Sequence, residues 1–202
     1  MLFYRVDILY IDFMEDRGQT TKYEFDRANF LLALLATIVA GVLLYSPIPG
    51  VNEFDSVVAA RHFANPSWIP GDWYLDFTIP YRLLYNLLAG FLVNLLGFLP
   101  AIIVGRLICV FLFALAVARL AKVLKIKWLA LIPFLVIFLT NQSLFAKEWM
   151  LAGFETKSFA YSFIILAAGY ALEDRIIPAG RFIGLALSSH VLVGGYGGFC
   201  LG

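Results

Sequence analysis

The chain has 202 residues, of which 62% are hydrophobic, 16% aromatic and only 14% charged. A soluble domain carries roughly 25% charged residues, so the composition excludes an ordinary soluble protein and predicts an integral membrane protein whose first partner is the lipid bilayer. A net charge of +1, with no basic patch interleaved with aromatics, excludes a nucleic-acid partner. Cys109 and Cys200, far apart and in apolar surroundings, read as small buried hydrophobes.

Residues 1–29 mix Arg5, Arg17, Lys22 and Arg27 with Asp7, Asp12, Glu15, Asp16, Glu24 and Asp26. That mixture of signs, with no small-residue cleavage site after it, is not a secretory signal, and the segment reads as cytoplasmic. The helical membrane domain then covers 30–202. Its first span, 30–46, carries no charge. An outer loop with interfacial helices follows over 47–100, opening with Pro47-Ile48-Pro49 and placing Glu53 and Asp55 just beyond the span. A short helical run (56–63) and the boundary aromatics Trp68, Trp73 and Tyr74 come next.

Hydropathy alone makes 83–99 a second span. Counting it would put Lys122, Lys125 and Lys127 outside, against the preference of positive residues for cytoplasmic loops. Asn86, Gly90, Asn94 and Gly97 also draw one polar or small stripe down this helix. Such a helix is expected to lie in the outer interface or to dip into the bilayer and return, with Pro100 breaking it before the next span. The remaining spans read as 101–121, 128–145, 158–172 and 182–202. The fold class is therefore all-α, a multi-spanning helical membrane protein with about five spans plus an outer interfacial helix. The basic turn at Lys122, Lys125 and Lys127 faces the cytoplasm, as does the amino terminus. The last span ends in GGYGGFCLG at bilayer depth without an anchoring residue, so the chain is expected to be incomplete at its carboxyl end. Gly194 and Gly198 form a G-x-x-x-G that lets a neighbouring helix approach.

Several residues have the chemistry of a site. Glu53 and Asp55, on an extended segment, would point to one side. Two such carboxylates can hold Mg²⁺ or Mn²⁺, or one can take a proton from an attacking hydroxyl; as ordinary loop acids they would simply be solvated. Arg106, near the outer end of its span, either meets an anionic phosphate or the loop acids, or reaches outward to water. Arg119, near the other end, reads as an anchor that reaches water. Glu155 opens the fourth span on the outer face, as a third acid of the same cavity or as half of a boundary ion pair. His190, at mid-depth in the last span, serves either a site or a hydrogen bond between helices. His62 carries little signal.

Over roughly 30–172 the order of these features resembles the amino-terminal part of the GT-C superfamily of membrane glycosyltransferases, which use polyprenyl-phosphate-linked sugars. The likeness rests on one span, an outer loop opening with Glu53 and Asp55 and continuing as DSVVAARHF, the segment PYRLLYNLLAGFLVNLLG, and GRLICVFLFALAVARL with Arg106 near its start. The resemblance implies inverting transfer of a sugar from a polyprenyl-phosphate donor to an acceptor on the outer face. It gives Asp55 or Glu53 the role of base or metal ligand, with Arg106 steadying the phosphate. The chain departs from the family in stopping after about five spans and in having Glu-Phe-Asp rather than an adjacent acidic pair, as a truncated or inactive form would. The competing reading is a non-enzymatic membrane scaffold or a transporter component. Acids at the outer rim rather than the bilayer midplane favour the first reading.

Overall fold

The structure, a computed structural model, describes residues 27–43, 50–76, 82–142, 150–151 and 153–201. All but the last three residues of the expected cytoplasmic segment 1–29 lie outside these, as do Pro47, Ile48 and Pro49. Among the described residues there are nine helices and no strand. In chain order they are α1 (Arg27–Leu43), α2 (Val51–Ala64), the single turn α3 (Trp73–Asp76), α4 (Leu83–Leu96), α5 (Phe98–Val123), α6 (Trp128–Thr140), α7 (Thr156–Ala171), α8 (Ile176–Ser189) and α9 (Val191–Leu201).

Helix α5 has 26 residues, about 39 Å at a rise of 1.5 Å per residue, against a hydrocarbon core of roughly 30 Å. Among the described residues it is the one helix long and apolar enough to cross a membrane. It is also the element on which the others assemble. Helix α1 packs on α5 and α6, α7 packs on α5 and α8, and α2 packs on α4, which in turn touches α5 and α8. One apolar core joins α2, α4, α5 and α7 through Val57, Tyr85, Val93, Ile102, Phe159 and Phe163. A second joins α1, α5 and α6 through Ala33, Phe113, Val117, Leu131, Leu135 and Leu139.

The polar and small stripe on α4 packs on α2 at Asn86 and Gly90, while Asn94 stays exposed. Asn86 is buried, Asn94 accepts a hydrogen bond from Arg61, and a Cβ on Gly90 would lie 2.6 Å from the Ala60 carbonyl oxygen. The opposite face of α4 is thereby turned outward. Leu87, Phe91 and Leu95, then Leu99, Ile103, Leu107 and Phe111 on α5, follow at intervals of four and are all exposed. This continuous apolar surface is far longer than the scattered exposed leucines of soluble proteins.

Three expectations are corrected by the backbone. Gly97, at φ 81, makes the break between α4 and α5; Pro100 sits in the first turn of α5, where its missing N–H costs nothing. The expected span 182–202 is two helices, because the chain turns at His190 (φ −155, ψ 105) and α9 folds back along α8. Gly194 lies on the backbone at Ala186 and Leu187, and a Cβ on Gly198 would come within 2.9 Å of Ile183, so the G-x-x-x-G packs on the helix just before it. Arg119 does not reach into water. It pairs with Glu173 and stacks 3.6 Å over the Tyr170 ring, whose environment also holds Arg175 at 4.9 Å. Of the two cysteines, Cys109 is buried and Cys200 exposed.

Candidate functional site

Helix α2 opens at Gly50, an extended N-cap residue, with Glu53 three positions into the helix. From there the Glu53 carboxylate reaches back to accept the Gly50 N–H at 3.3 Å, the reciprocal half of a capping box, and its charge is favoured by the positive end of the helix. Glu53 is completely buried. Its main partner is Arg106 on α5, which donates from Nε to Oε1 at 2.6 Å and from Nη2 to Oε2. The pair is thus two-pronged and hidden from solvent, with the side chains 1% and 4% exposed for Glu53 and Arg106.

The segment 153–155 closes over this pair. The Phe154 N–H donates to Glu53 Oε1 at 2.7 Å, and the Phe154 carbonyl accepts the Tyr85 hydroxyl at 2.8 Å. The Phe154 ring, fully buried, lies 5.1 Å from the Tyr85 ring and 6.0 Å from Phe159. Two glycines make room. A Cβ on Gly153 would stand 2.8 Å from Glu53 Oε1, and one on Gly105 would overlap the Phe154 ring. Glu155, buried as well, is the residue before the first turn of α7. Burial, with Cys109, Glu53 and Glu155 close by, holds the Tyr85 phenol well above its ordinary range, so this hydroxyl remains a donor.

Asp55 is not part of that knot. Because α2 is helical from Val51, Glu53 and Asp55 are about 200° apart around its axis instead of sharing a side as they would on an extended segment. Asp55 faces an open cleft of about 790 Å³ lined by Gly50, Val51, Phe54, Val58, Asp72 and Tyr74, with Ile69 and Leu75 completing the wall. The Tyr74 hydroxyl lies 3.1 Å from each Asp55 oxygen. Asp72 accepts the N–H groups of Tyr74 and Leu75, each at 3.0 Å, and so caps α3. Ile69, β-branched and followed by Pro70, is held at φ 56, a conformation such residues rarely adopt and one that tends to mark functional sites.

The loop carrying these residues is fixed by His62. Its Nδ1 lies 2.8 Å from the Trp68 carbonyl and its Nε2 2.9 Å from Asp76 Oδ1. Both partners are acceptors, so the ring bridges the loop to α3. His62, Asp72 and Tyr74 were not singled out by sequence reasoning as site residues. The one signal was Asp72 directly before Trp73-Tyr74-Leu75-Asp76, the position of an N-cap.

The expected site residues therefore separate. Glu53, Arg106 and Glu155 lie in the buried region around Phe154, while Asp55 faces the cleft. His190 takes another part: its Nδ1 accepts the Val193 N–H at 3.3 Å, capping α9 at the turn. A Mg²⁺ or Mn²⁺ ion on Glu53 and Asp55 does not fit this arrangement. Both Glu53 oxygens accept hydrogen bonds from Arg106 and the main chain, and Asp55 stands on the opposite side of the helix. Among the described residues no three of His, Cys, Asp and Glu are grouped to hold a metal. Compared with known families, with characterised proteins and with solved structures, the chain matches none.

Proposed function

We propose that this is a GT-C-like integral membrane protein that transfers a sugar from a polyprenyl-phosphate donor, with its site in the Asp55 cleft. The observation that carries the reading is a solvent-reachable carboxylate set in a largely apolar cleft that also holds Asp72, held by a phenol and bordered by strained backbone. Such a wall suits a substrate with a polar head and a hydrocarbon chain. In this reading the acceptor hydroxyl oxygen attacks the anomeric carbon and its proton passes to Asp55. The bond from that carbon to the phosphate oxygen breaks with inversion, and the polyprenyl phosphate leaves as the anion. Glu53 and Arg106 are positioning residues that fix the start of α2 and hence the direction of Asp55.

The continuous apolar surface of α4 and α5 supports embedding in a bilayer. The finer arrangement proposed is four passages by α1, α5, α6 and α7, with the α8–α9 hairpin as a fifth, re-entrant one. The basic turn between α5 and α6 favours a cytoplasmic position for that end, which puts the cleft on the outer face and the amino terminus in the cytoplasm.

A second reading, a non-enzymatic scaffold or transporter component, is favoured by one observation. Glu53 and Arg106 neutralise each other out of solvent, which leaves Asp55 as the one member of the expected set facing the cleft. Reconstitution of the full chain in proteoliposomes with a panel of polyprenyl-phosphate sugars and membrane-derived acceptors separates the two readings. Transfer is expected, with Asp55→Asn lowering it by about 100-fold or more while melting like the wild type. Absence of transfer with every donor, or full activity of the variant, would overturn the catalytic reading.

A further inference from the structure

A second cavity, of about 480 Å³, lies between α5 and α6 with Met150 and, on α7, Ile165 in its wall, and is lined throughout by apolar side chains. It runs from Phe113 and Phe138 at one end, past Val117 and Leu131, to Leu124 and Ile126 at the other. The eleven steps from Phe113 to Leu124 rise roughly 16 Å, close to the depth of one leaflet of a hydrocarbon core of about 30 Å. The groove is thus about as deep as one leaflet.

Its end is defined by charge. Leu124 and Ile126 belong to the turn that joins α5 to α6, and Lys122, Lys125 and Lys127 flank them, all three exposed. The turn is held in place by α1. The Asn29 side chain donates to the Ile126 carbonyl at 3.2 Å and accepts the Trp128 N–H at 3.0 Å. Exposed Arg27 begins the same helix, and Trp128 adds an aromatic of the kind found at headgroup level. A basic turn, fixed by Asn29, thus forms the end of an apolar slot.

We infer that this groove seats one acyl chain of an anionic phospholipid whose phosphate rests on Lys122, Lys125 and Lys127. The charge selects the headgroup and the slot selects the chain. A free anion would gain only the rim, and a zwitterionic lipid only the slot. The inference needs the bilayer but not the sugar-transfer chemistry, so either can fail alone.

The test uses the purified full chain in detergent micelles and native mass spectrometry, with phosphatidylglycerol and phosphatidylcholine of identical acyl chains as probes and inorganic phosphate as competitor. Each lysine near a headgroup contributes about fivefold to binding of an anionic lipid, so phosphatidylglycerol is expected to bind roughly 100-fold more tightly. The triple variant Lys122→Gln, Lys125→Gln, Lys127→Gln, altered only at exposed positions, should bring the two lipids to parity. Ala130→Trp, which fills the slot, should weaken both. Equal binding of the two lipids by the wild type would overturn the inference, as would persistence of the preference in the triple variant or displacement of phosphatidylglycerol by phosphate alone. Unchanged lipid binding by Ala130→Trp would overturn the placement of the chain.

Discussion

Replacing Glu53 with glutamine removes one charge from a pair that solvent barely reaches, its side chains being 1% and 4% exposed. The amide keeps an oxygen for the Phe154 N–H, so the cover over the pair loses little by itself. What remains is the Arg106 guanidinium between α2 and α5 without its counter-charge. Removing one member of a buried pair costs about 3–5 kcal/mol, a large share of a typical total of about 5–15 kcal/mol. Arg106→Met in the same background removes the stranded charge and fills its place with an unbranched apolar chain. The double variant is therefore expected to lie within about 2 kcal/mol of the wild type, since apolar replacement of buried pairs is often neutral. The assay is reversible unfolding in mixed micelles, followed by tryptophan fluorescence, with Trp68 as a reporter because its ring lies 5.7 Å from that of Phe98 at the start of α5. A Glu53→Gln variant within about 1 kcal/mol of the wild type would refute the reasoning, because that is how a solvated pair behaves. So would a double variant that loses the sum of the two single losses.

Gly105→Ala places a methyl group in the space of the Phe154 ring and should cost about 1–3 kcal/mol, read in the same unfolding assay; Gly180→Ala, where nothing stands near the new carbon, is the control and should not destabilise. Tyr85 gives an alkaline signature. Its raised pKa in the fold means that the unfolded chain ionises first, near pH 10, so stability should be level below that pH and fall as pH rises above it. In Tyr85→Phe the descending limb should flatten, and a limb of unchanged slope would place the titration elsewhere.

Much of the helical layout was legible because it follows from local pattern. The stripe of Asn86, Gly90 and Asn94 at helical spacing announced a distinct face of α4, read as that of an interfacial helix, and the short run after Asp55 announced α2. The partner of that stripe was not legible. A small, polar face reads equally as water-facing or protein-facing, and only the position of α2 decides it. The break at residue 97 was attributed to Pro100 because proline ends helices, yet a proline in a first turn is harmless and a glycine at positive φ ends a helix as effectively. In the last apolar run, hydropathy sums over a turn that costs no hydrophobicity. His190 preceded by Ser188 and Ser189 was the available signal of a cap rather than of a mid-helix site. Phe154 was invisible because its place depends on Gly105 and Gly153, 48 residues apart in the chain, both lacking a Cβ.

The separation of Glu53 from Asp55 bears on how mutational data should be read. Glu-Phe-Asp is a pair of neighbours on a strand and a pair of opposites on a helix, and the choice was settled by where α2 begins. Gly50 as N-cap with Glu53 in the first turn starts the helix four residues before Asp55, which turns one acid into the protein and the other toward the cleft. The two acids then act through different quantities. Glu53 affects any activity through the population of folded protein and the direction of α2, so its loss should be offset by Arg106→Met as stability returns. Asp55 bears no comparable packing and bonds only to an exposed tyrosine, so its loss should leave stability near that of the wild type and should not respond to Arg106→Met. An activity defect at Asp55 that was repaired at Arg106 would mean that the two residues share one site, contrary to the geometry of α2.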